Sequence, residues 1–160
     1  MQISLINADY NNPQHAKDLL MLLNAYALDP MGGAEALSED TQNNLVSALA
    51  KRSDALTVLC YVDNKPAGII NCFEGFSTFK CKPLMNIHDC GVLAEYRGLG
   101  LSRKLFERVE DIAKQRGCCK LTLEVLEGNE VAKSAYVNIG FSGYELDPKL
   151  GKAIFWEKSL

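Results

Sequence analysis

The sequence predicts a mixed α/β domain, with helices packed against a single sheet. Three observations carry this. Apolar residues make up 48% of the 160 residues, enough for the core of one domain. Segments of two-residue alternation or short apolar runs interleave with segments of helical period. Gly, Pro and Asn clusters separate them as hairpin turns and short loops do, with no linker, repeat or low-complexity stretch. Residues 1–160 therefore read as one domain.

Each element has its own warrant. Gln2–Ala8 (QISLINA) alternates and reads as a first strand. Residues 13–28 place Ala16, Leu19, Leu20, Leu23, Tyr26 and Ala27 on one face, with Pro13 in the first turn of the helix. The glycine-bearing loop DPMGGAEALSED follows, and Ser38 caps a second helix of about 15 residues bearing Leu45, Val46 and Leu49. ALTVLCYV and IINCFEGF, joined by DNKPAG, read as a hairpin over residues 56–76, and Leu84–Val92 as the next strand. The stretch EYRGLGLSRKLFERVEDIAKQRG opens on Gly98 and Gly100. It continues as a helix with Leu101, Leu105, Phe106, Val109, Ile112 and Ala113 in register, and Gly117 stands at its stop position. Cys119–Val125 is a strand. Asn129 caps a short helix carrying Ala132, Tyr136 and Ile139, closed by Gly140. FSGYELD and KAIFWEKSL form a last antiparallel pair across PKLG. The order β-α-α-β-β-β-α-β-α-β-β gives a mixed sheet of about seven strands flanked by about four helices.

Composition narrows the function classes. A net charge of -3, from 20 acidic and 17 basic residues, gives no electrostatic case for nucleic acid as main partner. MQISLINADYNN lacks the features of a secretory signal, and the most apolar run, DLLMLLNAYAL, carries Asp18 and Asn24 and is too short for a membrane span. Six cysteines form no C-x-x-C pair, and His15 and His88 add no zinc-ligand spacing, so no metal is expected. The cysteines read as reduced core thiols of a cytoplasmic protein, with a nucleophilic cysteine as the alternative.

Two glycines just before the longest amphipathic helix need a reason, because glycine weakens helices. A strand running through RGLGLS into a helix exposes backbone N–H groups at a positive dipole end, where a phosphate is favoured. A loop that simply turns the chain would look the same. The third glycine of a dinucleotide-binding G-x-G-x-x-G and the G-K-[ST] of a P-loop are both absent.

Arg97–Ser102, R-G-L-G-L-S, resembles the acyl-CoA pyrophosphate loop of the GNAT superfamily of N-acetyltransferases, Q/R-x-x-G-x-G/A, with Ser102 departing from Gly/Ala. Asn129, Ala132, Tyr136, Gly140 and Phe141 are similar to that family's N-x-x-A-x-x-x-Y-x-x-x-G-F spacing. The element order resembles the GNAT fold over nearly the whole chain. The first 80 residues match by order alone.

The resemblance implies a sheet splayed between its fourth and fifth strands, acetyl-CoA as co-substrate, an amine acceptor and a possible homodimer. It implies that Arg97, Gly98, Leu99, Gly100, Leu101 and Ser102 hold the CoA pyrophosphate through backbone N–H groups. It further implies that Cys90, Gly91 and Val92 pair with the pantetheine, with Gly91 suiting the bulge, and that Asn129 contacts its arm. Tyr136 would protonate the departing thiolate; packing in the core is its other reading. His88 falls where relatives carry a base, and imidazole exchanges protons near neutrality. Other relatives deprotonate through water, and a structural histidine is also possible. Asp89 would orient a ring, hold the splay or bind a substrate cation. Strand alternation sends His88 and Asp89 to opposite faces, so one of them looks into the site. Phe73, Glu74 and Phe76 border the acceptor site by family position and suit an ammonium group, or belong to the core. Met31 lies in the loop between the first two helices, where acceptors are contacted. Besides a small-amine N-acetyltransferase, a protein lysine or N-terminal acetyltransferase and a non-catalytic CoA-binding sensor are open.

Overall fold

The computed structural model describes all residues, Met1–Leu160. They group into two compact units, Met1–Leu123 and Glu124–Leu160.

The first unit is a five-stranded sheet in the order β1-β2-β3-β4-β5, with β1 Ile3–Asn7, β2 Ala55–Val62, β3 Lys65–Ser77, β4 Lys82–Val92 and β5 Leu121–Leu123. Neighbours from β1 to β4 run antiparallel, and β5 joins β4 in parallel. Helices α1 (Pro13–Leu28) and α2 (Glu39–Ala50) cover one face. On that side Leu19, Leu22, Leu23 and Leu49 pack with Leu59 of β2 and Ile69 of β3. Helix α3 (Leu101–Gln115) buries Leu105, Phe106, Val109 and Ile112 on the other face. There the alternate positions Val58, Cys60, Ile70, Cys72, Met85 and Ile87 are buried in turn. Each fully buried Leu, Ile or Val contributes about 1.5–3 kcal/mol relative to exposure.

The caps work as the residue types dictate. Asn12 accepts the N–H groups of Gln14 and His15 ahead of α1, and Ser38 accepts that of Thr41 in α2. Burial raises the Cys60 thiol to about 11 and pushes the Cys72 thiol up as well, so these two remain neutral core groups. Cys81, by contrast, is exposed.

The second unit holds α4, Glu130–Asn138. Asn129 accepts the Ala132 N–H at 3.1 Å and opens the helix. At its end Gly140, with φ 99°, lets its own N–H reach Val137 O at 3.0 Å and the Phe141 N–H reach Tyr136 O at 3.0 Å. This is a Schellman motif, completed by the Tyr136 and Phe141 rings, 6.1 Å apart. The N…A…Y…GF spacing is therefore the beginning and end of one helix.

The expected seven strands are not found. FSGYELD and KAIFWEKSL contribute one isolated bridge, Glu145 to Lys152, and a hydrogen bond from Ala153 N–H to Tyr144 O at 3.1 Å. Alternation alone does not make a strand; a ladder of paired backbone groups does, and this pair stops after one bridge.

Candidate active site

The site begins with a break in the β3–β4 ladder. Asn71 lies opposite Asp89 and Cys72 opposite Ile87, so His88 is an extra residue, a β-bulge. The bulge was expected at Gly91, which instead pairs in register with Ile69. At the same place β5 ends: its last partner on β4 is Ile87. Residues 88–92 of β4 thus run on beyond the β5 ladder.

The bulge overturns the expected alternation. The Asp89 Oδ2 accepts from Asn71 Nδ2 at 3.0 Å. The His88 ring meets the Phe73 ring edge-on, with centroids 5.6 Å apart at 84°. Asn71 and Phe73 are two residues apart on β3 and share a face. His88 and Asp89 are consecutive, yet both turn toward that face, the one covered by α1. The opposite-face expectation fails because the extra residue resets the pleat.

Tyr26, in the last turn of α1, lies over Gly91: a Cβ on Gly91 would stand 3.0 Å from the Tyr26 Cβ. This close approach explains the glycine. Burial pushes the Tyr26 phenol up, and the charges of Asp89, Cys90 and Asp29 add to the rise, so it stays a neutral donor. The Cys90 thiol is pushed up to about 12, by burial and then by Asp89. Its resting form is therefore the neutral thiol.

Beyond Val92 the chain makes a 3-10 turn, Ala94–Tyr96, and enters the glycine loop. Gly98 and Gly100 have φ 80° and 72°, left-handed values that disfavour other residues. A Cβ on either would meet nothing within 4 Å, so protein packing leaves this surface open. Gly100 is the N-cap of α3 and supplies no side-chain cap. The first-turn N–H groups have no intrahelical acceptor. This donor set suits a pyrophosphate. Arg97 differs from its expected role, because its N–H is engaged by Ala94 O at 3.2 Å. Its guanidinium instead donates to Asp29 at 2.8 Å and to Val92 O at 3.3 Å. Asp29 also accepts the Met31 N–H at 2.9 Å. Those bonds, the Met31 N–H before Arg97, hold the Asp29 carboxyl below its usual range.

The expected acceptor residues divide. Phe73 stands with His88, and the Arg52 guanidinium lies 5.3 Å over its ring. Glu74 is paired with Arg116 at 3.3 Å, and alternation puts it and Phe76 on the α3 face. Neither joins Asp89. Phe76 and Met31 are exposed, Met31 in the loop beside Asp29. Tyr26, Asn71, Thr57 and Tyr10 escaped the sequence reading. Thr57 and Asn71 left a faint signal, as polar residues within apolar strand runs.

A family model for the acetyltransferase (GNAT) family matches residues 19–141. The chain belongs to this family. Among GNAT relatives, a thialysine N-epsilon-acetyltransferase of Caenorhabditis elegans is 23% identical over 135 residues, covering 81% of this chain and 78% of that protein. The thialysine N-epsilon-acetyltransferase of Bos taurus is 35% identical over 68 residues, 42% of this chain and 39% of that one. A possible acetyltransferase from Clostridium difficile 630 superposes with a TM-score of 0.80 at 19% identity, covering 100% and 99% of the two chains. AAC(6')-Iy, bound to a bisubstrate analogue, CoA-S-monomethyl-acetylneamine, superposes at 0.78 with 14% identity and full coverage of both. These likenesses show the fold. The chain is a GNAT-family acetyltransferase. No helix is long and apolar enough to cross a membrane.

Proposed function

We propose that residues 1–160 form one catalytic domain that moves an acetyl group from acetyl-CoA to a small primary amine. The matched segment, 19–141, runs through both compact units, which supports the single-domain reading. The observation that carries the proposal is the coincidence at His88: the bulge, the end of the β5 ladder and two side chains of opposite chemistry on one face.

The residues fit the co-substrate. The uncapped first turn of α3 and the open glycines suit its diphosphate, with Leu99, Leu101 and Ser102 lending N–H groups. Cys90, Gly91 and Val92 present strand backbone for the pantetheine amides. The CoA thioester supplies an activated carbonyl and a thiolate leaving group. The chain supplies the proton transfers. His88 takes the proton from the acceptor ammonium, freeing the nitrogen lone pair. Asp89 holds that ammonium beside it. A backbone N–H of the splayed strand faces the thioester oxygen. By its motif position Tyr136 takes the acid role: its phenolic proton goes to the thiolate as the C–S bond breaks and the C–N bond forms, and it regains, through water, the second proton that the nitrogen gives up. The names of the nematode and bovine relatives support an amine bearing a second charged group.

The homodimer belongs to the same reading, with exposed Ile154, Phe155 and Trp156 offering apolar surface; light scattering tests it. Calorimetric titration with acetyl-CoA, beside NADH, tests the co-substrate. Binding of the first alone is expected, and no acetyl-CoA binding refutes the proposal. Thiol release with thialysine, L-lysine, a polyamine, an aminoglycoside and a short lysine peptide then ranks acceptors. Preference for the peptide would replace the small-molecule assignment.

A further inference from the structure

Two polar side chains sit where the sheet should be apolar. Thr57 of β2 and Asn71 of β3 are 2% and 5% exposed. Burying such groups is costly unless they are bonded, and both are. The Thr57 Oγ1 donates to Asn71 Oδ1 at 2.6 Å, and Asn71 Nδ2 donates to Asp89 Oδ2 at 3.0 Å. Thr57 has used its one proton, so its 3.0 Å contact with Tyr10 is donated by the Tyr10 hydroxyl. Every dipole in the row therefore points toward the Asp89 carboxylate. Turning the Asn71 amide over would set its oxygen against the carboxylate oxygen, so the orientation is the one an ionised Asp89 requires. An amide does not pass protons along a chain as hydroxyls do. The row orients; it does not conduct.

We infer that Tyr10, Thr57 and Asn71 are positioning residues, which fix the Asp89 carboxylate so that its second oxygen meets the acceptor ammonium. The Oδ2 is held by Asn71, while Oδ1 has no protein donor and stays available. The arrangement selects acceptors that arrive protonated and sets their nitrogen next to His88 on the same face. This inference rests on the amine-acetyltransferase reading above.

The test uses the full chain and the fastest amine of the panel. Thr57→Val removes the hydroxyl at constant shape, and Thr57→Ser restores it. Asn71→Leu removes the link itself. Hydrogen bonds to charged groups are strong enough that Asn71→Leu should raise the amine KM about tenfold. Thr57→Val should raise it less, and Thr57→Ser should return it to wild type. In all three, kcat should stay within about threefold, with acetyl-CoA affinity unchanged. A merely structural role would not produce that split or that rescue. Independently of activity, the Asn71 side-chain amide resonances should shift in Thr57→Val and in Asp89→Asn. Equal KM values in the Val and Ser variants, or an Asn71 amide indifferent to Asp89→Asn, would overturn the inference. If the wild-type chain binds no acetyl-CoA, the acetyltransferase reading fails on its own, and the amide shifts still decide the positioning.

Discussion

From Lys82 to Ile87, β4 is an ordinary strand, laddered to β3 throughout and to β5 from Met85 to Ile87. From His88 to Val92 it keeps β3 as its strand partner but runs past the end of β5. The first half buries Met85 and Ile87 and behaves as core. The second half carries His88, Asp89 and Gly91, has Tyr26 laid over it, and leads into the glycine loop. One inserted residue separates the two. The difference teaches that a site can be made by taking ladder bonds away, provided the remaining strand is held firmly from its other side. Here β3 does the holding, through its backbone and through Asn71.

The hardest test of this contrast is to delete His88. Asp89 would stay opposite Asn71 and Ile87 opposite Cys72, so the second half would become like the first. The fold should survive by circular dichroism and melting, while kcat/KM falls by about 10³-fold, the range of a lost general base. His88→Ala keeps the bulge; it should cost less and remove the acid limb of the kcat/KM–pH profile. A profile unchanged in shape would take His88 out of the base role.

Next in size are two glycine substitutions, one facing each half. Gly91→Ala forces a Cβ to 3.0 Å from the Tyr26 Cβ, close to the α1 backbone. We expect about 1–3 kcal/mol of destabilisation by urea unfolding, with weaker acetyl-CoA binding. Gly75→Ala, opposite Leu84, meets the flexible Leu84 Cδ1 at 3.3 Å, and should change stability by less than about 1 kcal/mol. Equal effects would erase the distinction.

The smallest effect concerns the ion pair between half-buried Asp29 and exposed Arg97. The folded state lowers the Asp29 carboxyl. Its contribution is therefore present above the ordinary carboxylate pKa of about 3.9 and lost as pH falls through the lowered value. Asp29→Asn should remove that part of the acid sensitivity while changing stability at neutral pH by about 1 kcal/mol or less. Thermal melts from pH 7 to pH 2 measure both.

What the sequence disclosed follows the same divide between local and paired structure. Helix α1 begins at Pro13 and α2 after Ser38 as expected, because caps and periodicity lie within a few residues. The glycine loop and the α4 motif were legible for that reason: left-handed turns and helix ends demand particular residues in place. The bulge was not legible, since His88 becomes an extra residue only against Asn71 and Cys72 of another strand. Nor was the row from Tyr10 to Asp89, whose members come from four segments of the first unit. The alternation of FSGYELD suggested pairing that only a partner ladder can supply.

The central claim is that the bulge at His88 brings His88 and Asp89 to one face, where β4 runs past β5. A crystal structure of the acetyl-CoA complex tests it most directly. The account predicts pantetheine amides bonded to the β4 backbone between His88 and Val92, the diphosphate at the α3 N-terminus, and both side chains on the Phe73 face. Regular alternation through residues 86–90, with His88 turned to the α3 side, would contradict it.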